Sequence, residues 1–393
     1  MPRLLTAVDL AARPLDDALD QLRAALDGTG DALLPTSSDA AGAGARDALA
    51  AGTELDSSED DPDDPTALVV ATSGSTGEPK GALLPASALR ASAKATEERL
   101  GGPGHWLAAL APHHVAGVQV LLRSLLAGTR PVRLDLRDGF DLAQFATAAT
   151  DLTERPGRTY TALVPTQLVR VLSDGGEALG ALARFDTVLL GGAAAPPALL
   201  ARAREAGVRV VTTYGMSETC GGCVYDGRPL TGVRVEVGDR IRLGGAVVAR
   251  GYRLRPQAAQ FSAADGTRWF TTDDVGELRD GVLTVHGRAD DVIVTGGAKV
   301  SPQAVEVVLA EQPGIRECLV VAVPDDEWGQ RVVALVVANP LPDLDALRRS
   351  VSDRLGAPSA PREVLPVTAL PTTALGKPDR RAAAELARVR LAR

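Results

Sequence analysis

Between residues 67 and 215, this 393-residue chain repeats one order: a short apolar run, a glycine-bearing loop, a helical stretch. "ALVVA", Ala67 to Ala71, leads into a loop of glycines and hydroxyls. "HWLAALA" precedes "PHHVAG", and "TYTALVP" precedes a helical stretch from Thr166 to Leu172. "DTVLLGG" precedes another from Pro197 to Ala206, and "VRVVTTYG" closes the series. Strands buried on both faces read as continuous apolar runs, and parallel pairing needs crossover connections. The order therefore predicts an α/β domain with a largely parallel sheet. Ligands of such sheets bind at the carboxyl ends of the strands, where these loops lie.

The flanks read differently. Residues 1 to about 50 are rich in Ala and Leu, and Leu15, Leu19, Leu22 and Leu26 fall at helical spacing. "ELDSSEDDPDD", Glu54 to Asp64, predicts a solvated acidic connector. After Cys223 the texture changes to short strands with Gly turns, "TGVRVEV", "DRIRLGG" and "GELRDGVLTVHG", which predict a small β-rich subdomain. From residue 291 a strand, a Gly turn, a helix and further strands predict a compact α+β domain reaching residue 393, joined through "GRADD". Two domains are expected, 1–287 and 291–393.

Charge and cysteine content exclude some classes. A net charge of −8 argues against a nucleic-acid-binding surface. No uninterrupted apolar run reaches membrane-spanning length, and "MPRLLTAVDLAAR" meets Asp9 too early for a secretory leader. Cys220 and Cys223 form a lone C-x-x-C with no second pair for zinc, so they read as small packed residues in a reducing cytoplasm. Of 42 basic residues only four are lysine, and Lys80, Lys299 and Lys377 of these lie beside glycines. Arginine's planar fork cannot replace a compact ammonium at a crowded reacting centre.

"TSGSTGEPKG", Thr72 to Gly81, follows the first apolar run. Glycines let backbone N–H groups converge and hydroxyls add donors, so such a loop can wrap an anion. It is not the G-x-x-x-x-G-K-[ST] phosphate loop, because Lys80 follows Pro79 and Gly81 stands where Ser or Thr is required.

Together with "YGMSET" (Tyr214–Thr219), "WFTTDDVGEL" (Trp269–Leu278), "GRADDVIVTGGAKVSPQAVE" (Gly287–Glu306) and "PTTALGKPDRR", that loop resembles the adenylate-forming superfamily of acyl-CoA synthetases and adenylation domains. The resemblance runs from Ala67 to Lys377 and implies a large N-terminal domain hinged to a small mobile one. It also implies a chemistry: a carboxylate attacks the α-phosphorus of ATP, pyrophosphate leaves, and a thiol such as CoA then displaces AMP. By resemblance, Thr72, Ser73, Ser75, Thr76 and Lys80 hold the β- and γ-phosphates. Ser217 meets the α-phosphate and Glu218 carries Mg²⁺, a hard cation suited to oxygen ligands. Gly191, Gly192, Ala193 and Tyr214 resemble the adenine pocket, Asp274 the ribose acceptor, with Arg288 beside it. Lys377 resembles the catalytic lysine and Asp290 the hinge. One departure stands out: the family's T-G-D reads Thr272-Asp273-Asp274 here.

"PHHVAGVQVLLRSLLAG", Pro112 to Gly128, is one residue shorter than the P-x-x-H-x-x-G element many acyl-CoA synthetases carry near the acid. With "LLGGAAAPPALL" and a short region before the phosphate loop, it resembles the o-succinylbenzoate–CoA ligases of high-GC actinobacteria, which serve menaquinone biosynthesis. Another acyl- or aryl-acid CoA ligase, or an adenylation enzyme loading a carrier protein, remains open. The expected partners are a small acid, ATP and CoA. Val118, Leu121, Leu122 and Leu125 predict an amphipathic helix on the core, with Gln119 and Arg123 sharing its other face. His114 and Arg123 are the expected contacts to the acid.

Overall fold

The computed structural model describes residues 3–73, 79–340, 342–372 and 378–391, with Ser73 described in its backbone alone. A seven-stranded sheet carries the predicted alternation. Its five strands Val210–Met216, Thr187–Leu190, Arg158–Leu163, Gly104–Ala108 and Val132–Arg133 are parallel. Gly221–Tyr225 and Arg228–Pro229 extend it antiparallel. The expected helices form at Pro165–Asp174 and Pro197–Glu205, each with a proline in its first turn, where a missing N–H costs nothing.

A second sheet orders Leu5–Val8, Ala32–Pro35, Thr66–Ser73, Pro79–Pro85 and Gly251–Tyr252. Its first two strands were not legible in the N-terminal region, which read as helical. Both are four residues long, and Ala32–Pro35 is buried throughout, so neither shows alternation. The helix Leu15–Leu26 does form there, burying Leu19, Leu22 and Leu26. Helices Leu15–Leu26, Ala86–Leu100 and Val115–Leu126 pack between the two sheets. One core joins Leu22, Leu68, Leu89, Val118 and Tyr225; a second, on the far face of the seven-stranded sheet, joins Phe145, Leu168, Leu182 and Leu199.

The predicted solvated connector is instead anchored. Glu59 is buried in an ion pair with Arg253, and Asp60 accepts from the Thr66 amide at 2.7 Å and Arg3 at 3.2 Å. Buried partners, invisible in a local charge run, override solvation here. The β-rich part forms as expected, with Val233–Val237, Ile241–Gly245, Thr267–Thr271 and Phe261–Ala264 in one antiparallel sheet. Beyond the hairpin of Asp274–Arg279 with Val282–Arg288, the remaining chain builds its own core of Ile293, Val305, Val320, Val332, Leu347 and Val351. Strands Ile315–Asp325, Gly329–Ala338 and Glu363–Pro366 form a three-stranded sheet, and helix Arg380–Leu391 packs on its face opposite that core.

Candidate active site

The glycine-rich stretch joins two antiparallel strands, with Thr72 paired to Lys80, so it does not lead into a helix. Lys80 is therefore fixed by a ladder, and helix-dipole arguments do not apply to it. Its Nζ lies 5.5 Å from the centroid of the Tyr252 ring. The Tyr252 hydroxyl donates to Glu218 Oε1 at 2.6 Å. Glu218 sits in the 3-10 turn Ser217–Thr219, at the carboxyl end of strand Val210–Met216. The Thr219 hydroxyl braces that turn, accepting from the Met216 amide at 3.0 Å and donating to the Gly221 carbonyl at 2.8 Å. Burial pushes the Glu218 carboxyl above its ordinary range, while the Tyr252 bond and the nearby Lys80 charge pull it back.

Next to this turn, the Tyr214 hydroxyl donates to Asp274 Oδ2 at 2.7 Å, and burial again raises the carboxyl. The Thr272 hydroxyl accepts from the Asp274 amide at 3.0 Å and donates to the Ile241 carbonyl at 2.9 Å. Gly191 ends the neighbouring strand so closely that a Cβ would lie 2.3 Å from Thr213 Oγ1. Gly192 follows at φ 82°, a left-handed conformation natural to glycine, and Ala193 lies beyond it in the same loop. Tyr214, Ser217, Glu218 and the 191–193 loop therefore gather toward the carboxyl ends of two neighbouring strands.

Arg288 stands opposite Asp274 in the hairpin register, and its guanidinium turns to the neighbouring carboxylates: its Nη2 lies 2.9 Å from Asp273 Oδ2 and 3.7 Å from Asp290. The extra carboxylate of Thr272-Asp273-Asp274 thus has a cation of its own. Ser75, Thr76 and Lys377 lie outside the described residues. Cys220 and Cys223 are buried free thiols, Cys223 pushed up to about 12 by burial, which suits packing and not redox chemistry.

The helix Val115–Leu126 is not amphipathic. Every residue from Gly117 to Ser124 is buried, because helices cover the side facing away from the sheet. Gln119 donates to the Cys220 carbonyl at 2.7 Å. Arg123 is only 7% exposed, with its guanidinium 5.3 Å from the Trp106 ring centroid and Nη2 3.4 Å from the Tyr225 hydroxyl. Among the described residues no carboxylate pairs with it, and its Nε has no hydrogen-bond partner. His114 is the N-cap residue, its ring stacked edgewise on His113 at 4.1 Å. Gly117 admits the Ala111 carbonyl, which a Cβ would approach to 2.1 Å, so the glycine of this element is a packing requirement.

The family profile described as AMP-binding enzyme matches residues 6–253, and that of the AMP-binding enzyme C-terminal domain matches 304–377. The chain belongs to the AMP-binding enzyme family. A relative from Mycobacterium tuberculosis, named probable 2-succinylbenzoate–CoA ligase, is 52% identical over 81% of this chain and 84% of its own length. The o-succinylbenzoate CoA synthetase of Bacillus subtilis, solved with its acyl-adenylate intermediate, aligns at TM-score 0.72 and 25% identity over 96% of this chain and 82% of that one. The same enzyme solved with ATP and magnesium aligns at 0.70 and 26% identity, over 95% and 82%. The adenylate-forming fold, a large α/β domain followed by a small one, is thereby established for this member of the family. Tyr252 lies outside the sequence motifs, although tyrosine is scarce enough, four in the chain, to have marked it, and Thr219 lies within "YGMSET" with no role assigned to it there.

Proposed function

We propose that this AMP-binding enzyme is an ATP-dependent 2-succinylbenzoate–CoA ligase acting in menaquinone biosynthesis. The observation that carries the choice of acid is Arg123, a buried cation without a carboxylate partner among the described residues. An uncompensated buried charge costs several kcal/mol, and a substrate bearing a second carboxylate removes that cost. The succinyl carboxylate reacts, and the benzoate carboxylate reaches Arg123, with His114 as a polar wall nearer the sheet edge.

In the first half-reaction a succinyl carboxylate oxygen attacks the α-phosphorus, and the electron pair of the broken P–O bond leaves with pyrophosphate. Lys80, Thr72, Ser73, Ser75 and Thr76 hold the β- and γ-phosphates, and Ser217 the α-phosphate. Gly191, Gly192, Ala193 and Tyr214 form the adenine pocket, Asp274 takes the ribose hydroxyls, and Arg288 stands beside them. Lys377 brings carboxylate and phosphorus together. The Glu218 carboxylate, whose Oε1 accepts from Tyr252, would suit Mg²⁺, a hard cation that takes oxygen ligands, and no cluster of three or more His, Cys, Asp or Glu occurs among the described residues. When bound, the ion neutralises charge on phosphoryl oxygens.

In the second half-reaction the CoA thiol gives up its proton, its sulfur bonds to the acyl carbon, and AMP leaves. Asp290 is the hinge between the halves. Arg288 pairs back to Asp273, whereas Asp291 pairs forward, with Arg380 at 3.3 Å and Gln303 at 3.2 Å. The chain changes partners at Asp290, which supports domains of 1–287 and 291–393. The test is pyrophosphate release from a panel of acids, with and without CoA. The expected result is release with 2-succinylbenzoate and thioester only when CoA is added; release with other acids alone overturns the substrate, and product on a carrier protein alone overturns the acceptor.

A further inference from the structure

Beside Lys80 lies an open cleft of about 530 Å³, lined also by Tyr252, Arg255, Pro256, Gln257, Ala258 and Gln260. The turn that presents Arg255 is held from several sides. Leu254 adopts φ 59°, a left-handed conformation that a bulky residue keeps only when its surroundings impose it. Glu59 imposes it: one carboxylate oxygen accepts from the Leu254 amide at 2.7 Å, and the other pairs with buried Arg253. Arg253 also donates to Thr53 Oγ1 at 2.6 Å and the Glu54 carbonyl at 3.0 Å, while its amide donates to the Gly81 carbonyl at 2.8 Å. That last bond fastens the turn to the strand bearing Lys80. The Arg255 amide closes the turn on the Tyr252 carbonyl at 3.2 Å.

A buried ion pair thus spends its rigidity on one result: an arginine and a lysine share a solvent-open cleft next to Glu218. We propose that Arg255 binds the β- and γ-phosphates of ATP, and then the departing pyrophosphate, together with Lys80, with Gln257 and Gln260 as neutral donors. The inference rests on the phosphate role proposed above for Lys80. As the α-phosphorus changes partners, negative charge accumulates on pyrophosphate, and a guanidinium fork meets two phosphoryl oxygens at once. Openness to solvent gives the product a way out.

The experiment is calorimetric binding of Mg²⁺–ATP, inorganic pyrophosphate and AMP to full-length Arg255→Ala, Arg255→Lys and Lys80→Ala, with no acid present, so an error in the acid cannot affect it. Arg255→Ala is expected to weaken ATP and pyrophosphate by about tenfold or more, as loss of a charge-assisted bond does, and to leave AMP within about twofold. Arg255→Lys should recover part of the loss. Pyrophosphate binding unchanged in Arg255→Ala but lost in Lys80→Ala overturns the role of Arg255 alone. Equal weakening of all three ligands also overturns it, because a merely structural turn would act that way. No effect in either variant overturns the phosphate reading beneath it.

Discussion

Glu218 and Arg288, both set beside the nucleotide by the family resemblance, are held in opposite ways. Glu218 is 6% exposed and accepts from the Tyr252 hydroxyl at 2.6 Å. Arg288 is 42% exposed, lies between Asp273 at 46% and Asp290 at 54%, and Asp290 is shared in turn with Arg240 at 3.9 Å. A buried, hydrogen-bonded group is fixed before substrate arrives, which is what electrostatic preorganisation requires. Exposed ion pairs contribute little each and exchange partners readily. The chain thus holds Glu218 in a rigid part and Arg288 in an exchangeable one, and the proposed function assigns the phosphate chemistry to the rigid part.

The largest expected effect removes Lys377, proposed above to bring carboxylate and phosphorus together. Lys377→Ala should slow adenylate formation about 10²- to 10³-fold and leave thioester formation from preformed acyl-adenylate and CoA near wild type. Equal loss in both half-reactions, in folded protein, would place Lys377 outside the reacting centre.

Within the rigid half, Arg123→Ala should raise KM for 2-succinylbenzoate by about 100-fold, since removing one partner of a buried charge pair costs about 3 kcal/mol. Arg123→Lys should recover only part, having lost the fork. KM for ATP and for CoA should stay within about twofold. Unchanged diacid kinetics would make Arg123 a packing residue of the Trp106–Tyr225 core.

A smaller effect tests how Glu218 is poised. Its carboxyl is raised by burial, and the Tyr252 bond favours the charged form. Below its pKa Glu218 carries a proton and cannot serve a metal ion, so adenylation should fall as pH drops through a point above the ordinary carboxylate range. Tyr252→Phe removes a pull toward the charged form, so the acid limb of the pH profile should move to higher pH. A limb that stays in place or moves down would mean that Glu218 does not control it.

What was legible beforehand follows the same division. Motif spacing singled out Tyr214, Glu218, Asp274 and Lys80, and the structure places each on a strand or directly beside one. The parallel sheet and the small second domain were legible from the apolar runs of their strands. Leu5–Val8 and Ala32–Pro35 were not, being too short to show a period. Burial was also hidden: Glu59 and Arg123 are charged residues whose partners, Arg253 and Tyr225, are roughly 100 to 200 residues away in sequence. An acidic run and a helix with three polar positions look solvated until those partners are known.

The smallest effect is on the exchangeable half. Asp273→Gly frees Arg288 from one half-exposed pair, so stability should change by less than about 1 kcal/mol and ATP affinity by less than about fivefold. A tenfold or greater change in ATP affinity would show Asp273 to be part of the rigid half instead.

The division itself is tested most directly by Asp290→Pro, assayed in single turnover for each half-reaction separately. Proline fixes φ at the position where partners change, within the short Ala289–Asp291 turn. Adenylation of 2-succinylbenzoate should remain within about threefold of wild type, while transfer from the preformed adenylate to CoA should fall by about 10²-fold or more. Retention of both half-reactions, or their equal loss in a folded protein, would contradict a fixed half and a moving half that meet at Asp290.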